Sequence, residues 1–216
     1  GAAAGVSAAG TVSSPVLTPA DSYVFMGSYK SVDWTGELMR ITLDPISGMP
    51  SGTIDWSAQS KLDAKSYTSR NIYTYDASVV TTKLKAFTSA NFGSNAYFLT
   101  PAISTSTTGL SQFLCTSADT CLSATDQNSS HASGANLVNY LRGDRSNEGS
   151  LTDNTKYYRQ RANVLGDIVN AQIAYVPPPY HEYVDPGYDT FVSSKASRMA
   201  MVYAAANDGM LHAFKA

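Results

Sequence analysis

The chain is poor in charge, poor in cysteine and without a long apolar run, and each shortage excludes something. Only 15% of its 216 residues are charged, with 15 Lys and Arg against 17 Asp and Glu. A net charge of -2 supplies no basic field for nucleic acid or anionic lipid. No apolar stretch approaches the ~20 residues of a membrane helix, and no basic segment leading into an apolar one stands at the start. The two cysteines, Cys115 and Cys121, are too few for a metal site that needs three or four ligands. Their closeness in a polar segment suits one small-loop disulfide and an oxidising compartment, with two free thiols as the alternative. In abundance are 14 Tyr, 15 Gly, 9 Pro and 48 Ser and Thr, a composition that favours strands and turns over helices. The expectation is a mainly β protein of irregular antiparallel sheets with an extracellular type of surface. The opening residues, Gly1 to Gly5, do not resemble a natural translation start, so the expectation is also of a fragment.

Along the chain, residues 1–20 read as an extended arm in which Pro15 and Pro19 confine any strand to a sheet edge. Residues 21–99 form a β-rich region. The alternation Tyr23, Phe25, Gly27, Tyr29 and the run Glu37 to Leu43 predict a hairpin about a turn at Asp33, Trp34, Thr35 and Gly36. Further strands are predicted at Thr53 to Trp56 and Arg70 to Tyr75. Residues 100–133 are a polar loop or insertion holding the cysteine pair. In 134–162 a connector follows one short helix near 134–142, with Ser133 placed to cap it, Leu137, Val138 and Leu141 on one face and Gly143 closing it. Residues 163–216 hold an apolar run from Val164 to Val176, halted by Pro177, Pro178 and Pro179. Two final apolar runs, Met199 to Ala206 and Met210 to Phe214, meet at Asn207, Asp208 and Gly209, residues that tolerate the positive φ of a tight hairpin.

Catalysis needs a nucleophile or base beside an orienting group, and His131, His181 and His212 sit in unrelated contexts. No nucleophile elbow or phosphate-cradling glycine loop is present, so no catalytic residue is assigned and no enzyme is expected. Asp119, Asp126 and Asn128 offer oxygen ligands but match no calcium template; neither metal nor cofactor is assigned. Asn128, Ser129 and Ser130 fit a glycosylation sequon, read here as an accidental match. Arg142, Gly143 and Asp144 form a candidate receptor motif, a guanidinium and a carboxylate on one turn. The bland reading is a helix end with local pairing. Tyr175, Tyr180, Tyr183 and Tyr188, interleaved with prolines, are equally a recognition surface of rigid rings or the cover of a core edge.

Three stretches together resemble one family. They are Ser22 to Leu38 with Trp56 and Arg70 to Thr74; Leu137 to Asp144 with Arg161 and Val164 to Asn170; and Val202 to Phe214. In that order they are similar to the C-terminal region of the PilC/PilY group of type IV pilus tip-associated adhesins. The last stretch resembles the opening hairpin of that family's modified β-propeller, and quinoprotein propeller repeats as well. The resemblance implies a secreted, cell-surface, pilus-associated protein acting in pilus assembly and adhesion. Its implied partners are minor pilins or other pilus components and a host or abiotic surface. A propeller blade takes ~40 residues and a ring ~4 to 8 blades, so the 53 residues from Val164 to Ala216 make one blade at most. The acidic calcium loop of the family has no match here. An unfinished blade leaves a strand edge that templates pairing. The candidate assembly strands are therefore Val12, Val16 and Leu17 in the arm and Met210, Leu211, His212 and Phe214 at the end. Identical copies adding head to tail would give a filament. The alternatives are a quinoprotein-like propeller enzyme fragment using pyrroloquinoline quinone, and a receptor ligand acting through Arg142, Gly143 and Asp144.

Overall fold

The structure, a computed structural model, describes residues 10–12, 22–30, 34–93, 134–149 and 158–216. In chain order the first elements are β1 (Gly10–Val12), β2 (Tyr23–Lys30), β3 (Thr35–Leu43), β4 (Pro50–Ser57), α1 (Ala58–Asp63) and a 3-10 turn (Tyr67–Ser69). Then come β5 (Tyr73–Tyr75), β6 (Leu84–Ala86), α2 (Ser89–Phe92), α3 (Ala135–Arg142), β7 (Ala174–Val176), α4 (Tyr188–Lys195), β8 (Met201–Ala205) and β9 (Leu211–Lys215). The protein is mainly β, as expected, with three small antiparallel sheets and few short helices. It divides into two compact units, one from Gly1–Ala64 with Ala162–Ala216 and one from Lys65–Arg161. No helix among the described residues is long and apolar enough to cross a membrane.

In the first unit the alternation of Tyr23, Phe25 and Gly27 produces β2, which pairs with β3 along its whole length, Phe25 opposite Arg40 and Gly27 opposite Leu38. The expected turn over 33–36 is shorter at its far end. Trp34 adopts a φ of 54° and Thr35 already pairs with Lys30, so Thr35 and Gly36 belong to β3. β4 extends the predicted 53–56 strand at both ends, with register shifts against β3 around Ile41. The sheet order is β1-β2-β3-β4. Helix α1 escaped the sequence reading although its cap is visible there: the Ser57 hydroxyl accepts the Ser60 N–H at 3.1 Å. The apolar stretch 164–176 is mostly irregular, and only its last three residues form a strand before Pro177. It nonetheless supplies Leu165, Ile168 and Ile173 to a core completed by Phe25, Leu38, Ala58, Val202, Ala204 and Phe214. Burial of the larger of these side chains contributes about 1.5 to 3 kcal/mol each.

In the second unit β5 and β6 pair as a hairpin, Tyr73 opposite Ala86 and Tyr75 opposite Leu84. The strand predicted from Arg70 begins only at Tyr73, because Arg70 is buried and closes the 3-10 turn. Helix α3 occupies the expected residues, and Gly143, at φ 107°, closes it. The Gly143 N–H donates to the Tyr140 carbonyl and the Asp144 N–H to that of Asn139, both at 2.9 Å, a Schellman closure. The expected cap Ser133 lies outside the described residues; Gly134, at φ 63°, holds the N-cap position without a side-chain bond.

Candidate interaction surface

The terminal hairpin is fastened at its turn and open along its edge. Asp208 accepts the N–H of Gly166 at 3.0 Å and that of Met210 at 3.1 Å. Its Oδ2 lies 2.8 Å from His212 Nε2. Burial pushes the Asp208 carboxyl up, but the bond and charge of His212 and the two main-chain N–H groups outweigh it. Its pKa therefore falls below the ordinary carboxylate value. Beside it the Asn207 side chain donates to the buried Asp167 carboxylate at 2.7 Å, and the Asn207 N–H to the Asp167 carbonyl at 2.9 Å. Glycine is needed twice. A Cβ at Gly166 would stand 2.7 Å from the Asp208 nitrogen, and one at Gly36 would stand 2.1 Å from the Gly166 carbonyl oxygen. Asp167, Asp208 and these glycines were missed as a site; their only trace in the sequence is two short Gly/Asp interruptions of apolar runs.

From that turn β9 runs back along β8 as the last strand of the order β7-β8-β9. The bonds from Ala206 N–H to Met210 O and from Ala216 N–H to Ala200 O, each 3.0 Å, fix the alternation of the ladder. His212 and Phe214 lie on the bonded pairs with Ala204 and Val202. The main-chain groups of Leu211, Ala213 and Lys215 therefore point away from β8, and no strand covers them among the described residues. Their side chains are exposed, Leu211 at 69%, while Phe214 is buried and His212 holds Asp208. Of the candidate assembly residues, Leu211 thus stands on the open edge, and Met210, His212 and Phe214 secure the hairpin. In the arm, Val12 pairs with Val24 of its own chain; Val16 and Leu17 lie outside the described residues.

The receptor motif is used by the fold itself. The Arg142 guanidinium is buried and donates to the carbonyls of Phe87, of Tyr67 at 2.8 Å and of Arg70 at 3.1 Å. Burial lowers its pKa from the usual guanidinium value. Its own carbonyl accepts Arg70 Nη1 at 3.0 Å, and a Cβ on Gly143 would lie 2.0 Å from that nitrogen. The Asp144 carbonyl accepts Arg161 Nη2 at 2.8 Å, while its carboxylate accepts the Ser146 N–H at 3.0 Å. Arg161 also pairs with Glu148 at 2.7 Å and covers the Tyr140 ring at 3.9 Å. The Arg142 guanidinium is thus engaged by three main-chain carbonyls of its own chain.

The tyrosines divide by position. Tyr175 packs 5.4 Å from Phe25 and 6.0 Å from Tyr23, at the edge of the core. Tyr180 and Tyr183 are exposed, at 61% and 54%. Cys115, Cys121, Asp119, Asp126, Asn128 and His131 lie outside the described residues, as does any disulfide. No group of three His, Cys, Asp or Glu among the described residues is arranged to hold a metal ion.

Comparison with known proteins finds curated relatives. Over 200 residues the chain is 32% identical to the type IV pilus biogenesis factor PilY1 of Pseudomonas aeruginosa strain UCBPP-PA14, covering 89% of the chain and 15% of that protein. It is 33% identical over 199 residues to PilY1 of strain PAK, covering 84% and 14%. Over 92 residues it is 41% identical to a PilY1 homolog of Xylella fastidiosa strain Temecula1, covering 39% and 7%. The chain thus spans about a seventh of the length of the Pseudomonas relatives. No protein-family profile and no solved structure matches it.

Proposed function

The chain is homologous, over most of its length, to a segment of the type IV pilus biogenesis factors PilY1, and from that premise we propose that it works at the cell surface as a contact element of pilus assembly and adhesion. The work is association with other pilus components and with copies of itself, without chemistry of its own. The observation that carries this reading is the open edge of β9, where Leu211, Ala213 and Lys215 offer unpaired main-chain groups beside a turn held by the Asp208 and Asn207 hydrogen bonds. An added antiparallel strand makes about six hydrogen bonds there, each contributing about 0.5 to 1.5 kcal/mol net. Association itself costs about 4 to 15 kcal/mol, so the edge alone gives weak, concentration-dependent addition, helped by the exposed Leu211 side chain.

For copies joining head to tail, Gly10–Val12 already serves β2 of its own chain. In the proposed addition the donated residues are Val16 and Leu17 of the arm. The test is light scattering of the purified chain over a wide concentration range, beside Ala213→Pro. The Ala213 N–H faces outward, so proline there removes an edge donor and leaves the β8 ladder bonded. The expected result is growth of mass with concentration in the parent chain and a monomer of unchanged circular dichroism in the variant. Equal assembly by both would overturn the reading.

A further inference from the structure

A second surface, independent of the β9 edge, lies between the three prolines and α4. Five rings form a continuous row there. Tyr180 and His181 have centroids 4.2 Å apart, His181 and Tyr183 5.2 Å, Tyr183 and Tyr188 5.0 Å, and Tyr188 and Phe191 5.8 Å. All but Tyr188 are exposed, and Val184 between them is wholly in solvent. An apolar patch of this kind held in water marks a site of contact. Its shape is set in advance. Arg198 donates to the Pro177 carbonyl, Pro186 fixes the chain before α4, and Gly187, at φ 83°, opens that helix. Rings already packed against one another lose little conformational freedom on binding.

Charge selects the occupant. Residues 177–194 hold three carboxylates, Glu182, Asp185 and Asp189, and no Lys or Arg. All three are exposed, and none joins an ion pair among the described residues. Lys195 and Arg198 stand at the far end, the latter engaged with Pro177. We infer that this row docks a basic segment of a partner protein, one that presents arginine. A guanidinium stacks flat on a tyrosine face and bonds a carboxylate with two parallel N–H groups, which an ammonium cannot do. Faces alternating with free carboxylates match that double demand; a neutral sugar would use the rings and leave the charges unanswered.

The test uses the whole chain at about 50 mM salt. The probes are a fluorescent peptide of alternating Arg and Gly, its Lys counterpart and unlabelled maltoheptaose, read by anisotropy and competition. Two variants change only exposed side chains: Tyr180→Ala with Tyr183→Ala, and Glu182→Gln with Asp185→Asn. Thermal melting checks that both stay folded. The expected result is tighter binding of the Arg peptide than of the Lys peptide, weakened about fivefold or more by each variant. Three results would overturn the inference: no binding of the Arg peptide, equal binding of Arg and Lys peptides with loss only in the carboxylate variant, or displacement of the peptide by maltoheptaose.

Discussion

Replacing Arg142 by alanine tests whether the tripeptide at the end of α3 is a clamp or a ligand. In the structure one guanidinium serves three carbonyls from two segments: Tyr67 in the 3-10 turn and Arg70 at its close, and Phe87 just past β6. A hydrogen bond to a charged group contributes about 1.5 to 3 kcal/mol, and breaking a buried charged network costs about 3 to 5. Removing the charge also removes its own desolvation penalty, so the expected loss for Arg142→Ala is about 3 kcal/mol. Arg142→Lys retains one point donor and should lose roughly half as much. Because the two units need not unfold together, the measurement is amide exchange by mass spectrometry on peptides from 65–93 and 134–142. A loss of 3 kcal/mol speeds exchange there by about two orders of magnitude. Peptides from β8 and β9 serve as the internal reference. Exchange within about threefold of the parent in 65–93 would refute the clamp and return Arg142 to the pool of available ligands.

Local pattern was legible where one periodicity acted alone. Tyr23 to Tyr29, the helix ending at Gly143 and the hairpin through Asn207 to Gly209 follow from alternation, helical spacing and residues tolerant of positive φ, all read within a few positions. Boundaries moved where a distant partner decided them. Arg70 reads as the start of a strand, and burial against Lys65 and Arg142 carbonyls makes it the end of a turn. The stretch 164–176 reads as continuous apolar chain, yet Gly166 and Asp167 turn aside to meet Asn207 and Asp208 about forty residues later in the sequence. No short window of sequence contains that meeting. The same reason kept the open edge partly hidden. The hairpin announced itself, but only the ladder phase set by Ala206 with Met210 tells which of its residues face outward. Side chains that play two parts, such as the tyrosines on either side of the prolines, are separable only once Tyr175 is seen against Phe25.

Gly166→Ala and Asp208→Asn probe the fastened turn, with Gly187→Ala at the start of α4 as a control. Gly166→Ala, whose Cβ would meet Asp208 main chain at 2.7 Å, should lower stability by about 2 to 3 kcal/mol through forced backbone movement. Gly187→Ala, with open space around its Cβ, should cost only about 1 kcal/mol through its positive φ. Comparable melting temperatures for the two would refute the crowding argument. Asp208→Asn tests the electrostatics through pH. The folded carboxyl titrates below its ordinary value of 3.8, so the folded state favours the ionised form. The stability this contributes is fully present above about pH 4 and is lost as pH falls through the lower, folded value. Asparagine has no such limb: it forfeits the charged bonds at every pH. The parent should therefore be the more stable at pH 7, by about 1.5 to 3 kcal/mol, and the gap should narrow as the pH is taken below about 4. Urea unfolding followed by tyrosine and tryptophan fluorescence across that range reads both curves, with Trp56 reporting from 6.0 Å beside Phe214 on β9. A gap constant from pH 7 down to strong acid would mean that Asp208 holds the turn by shape alone, without its charge.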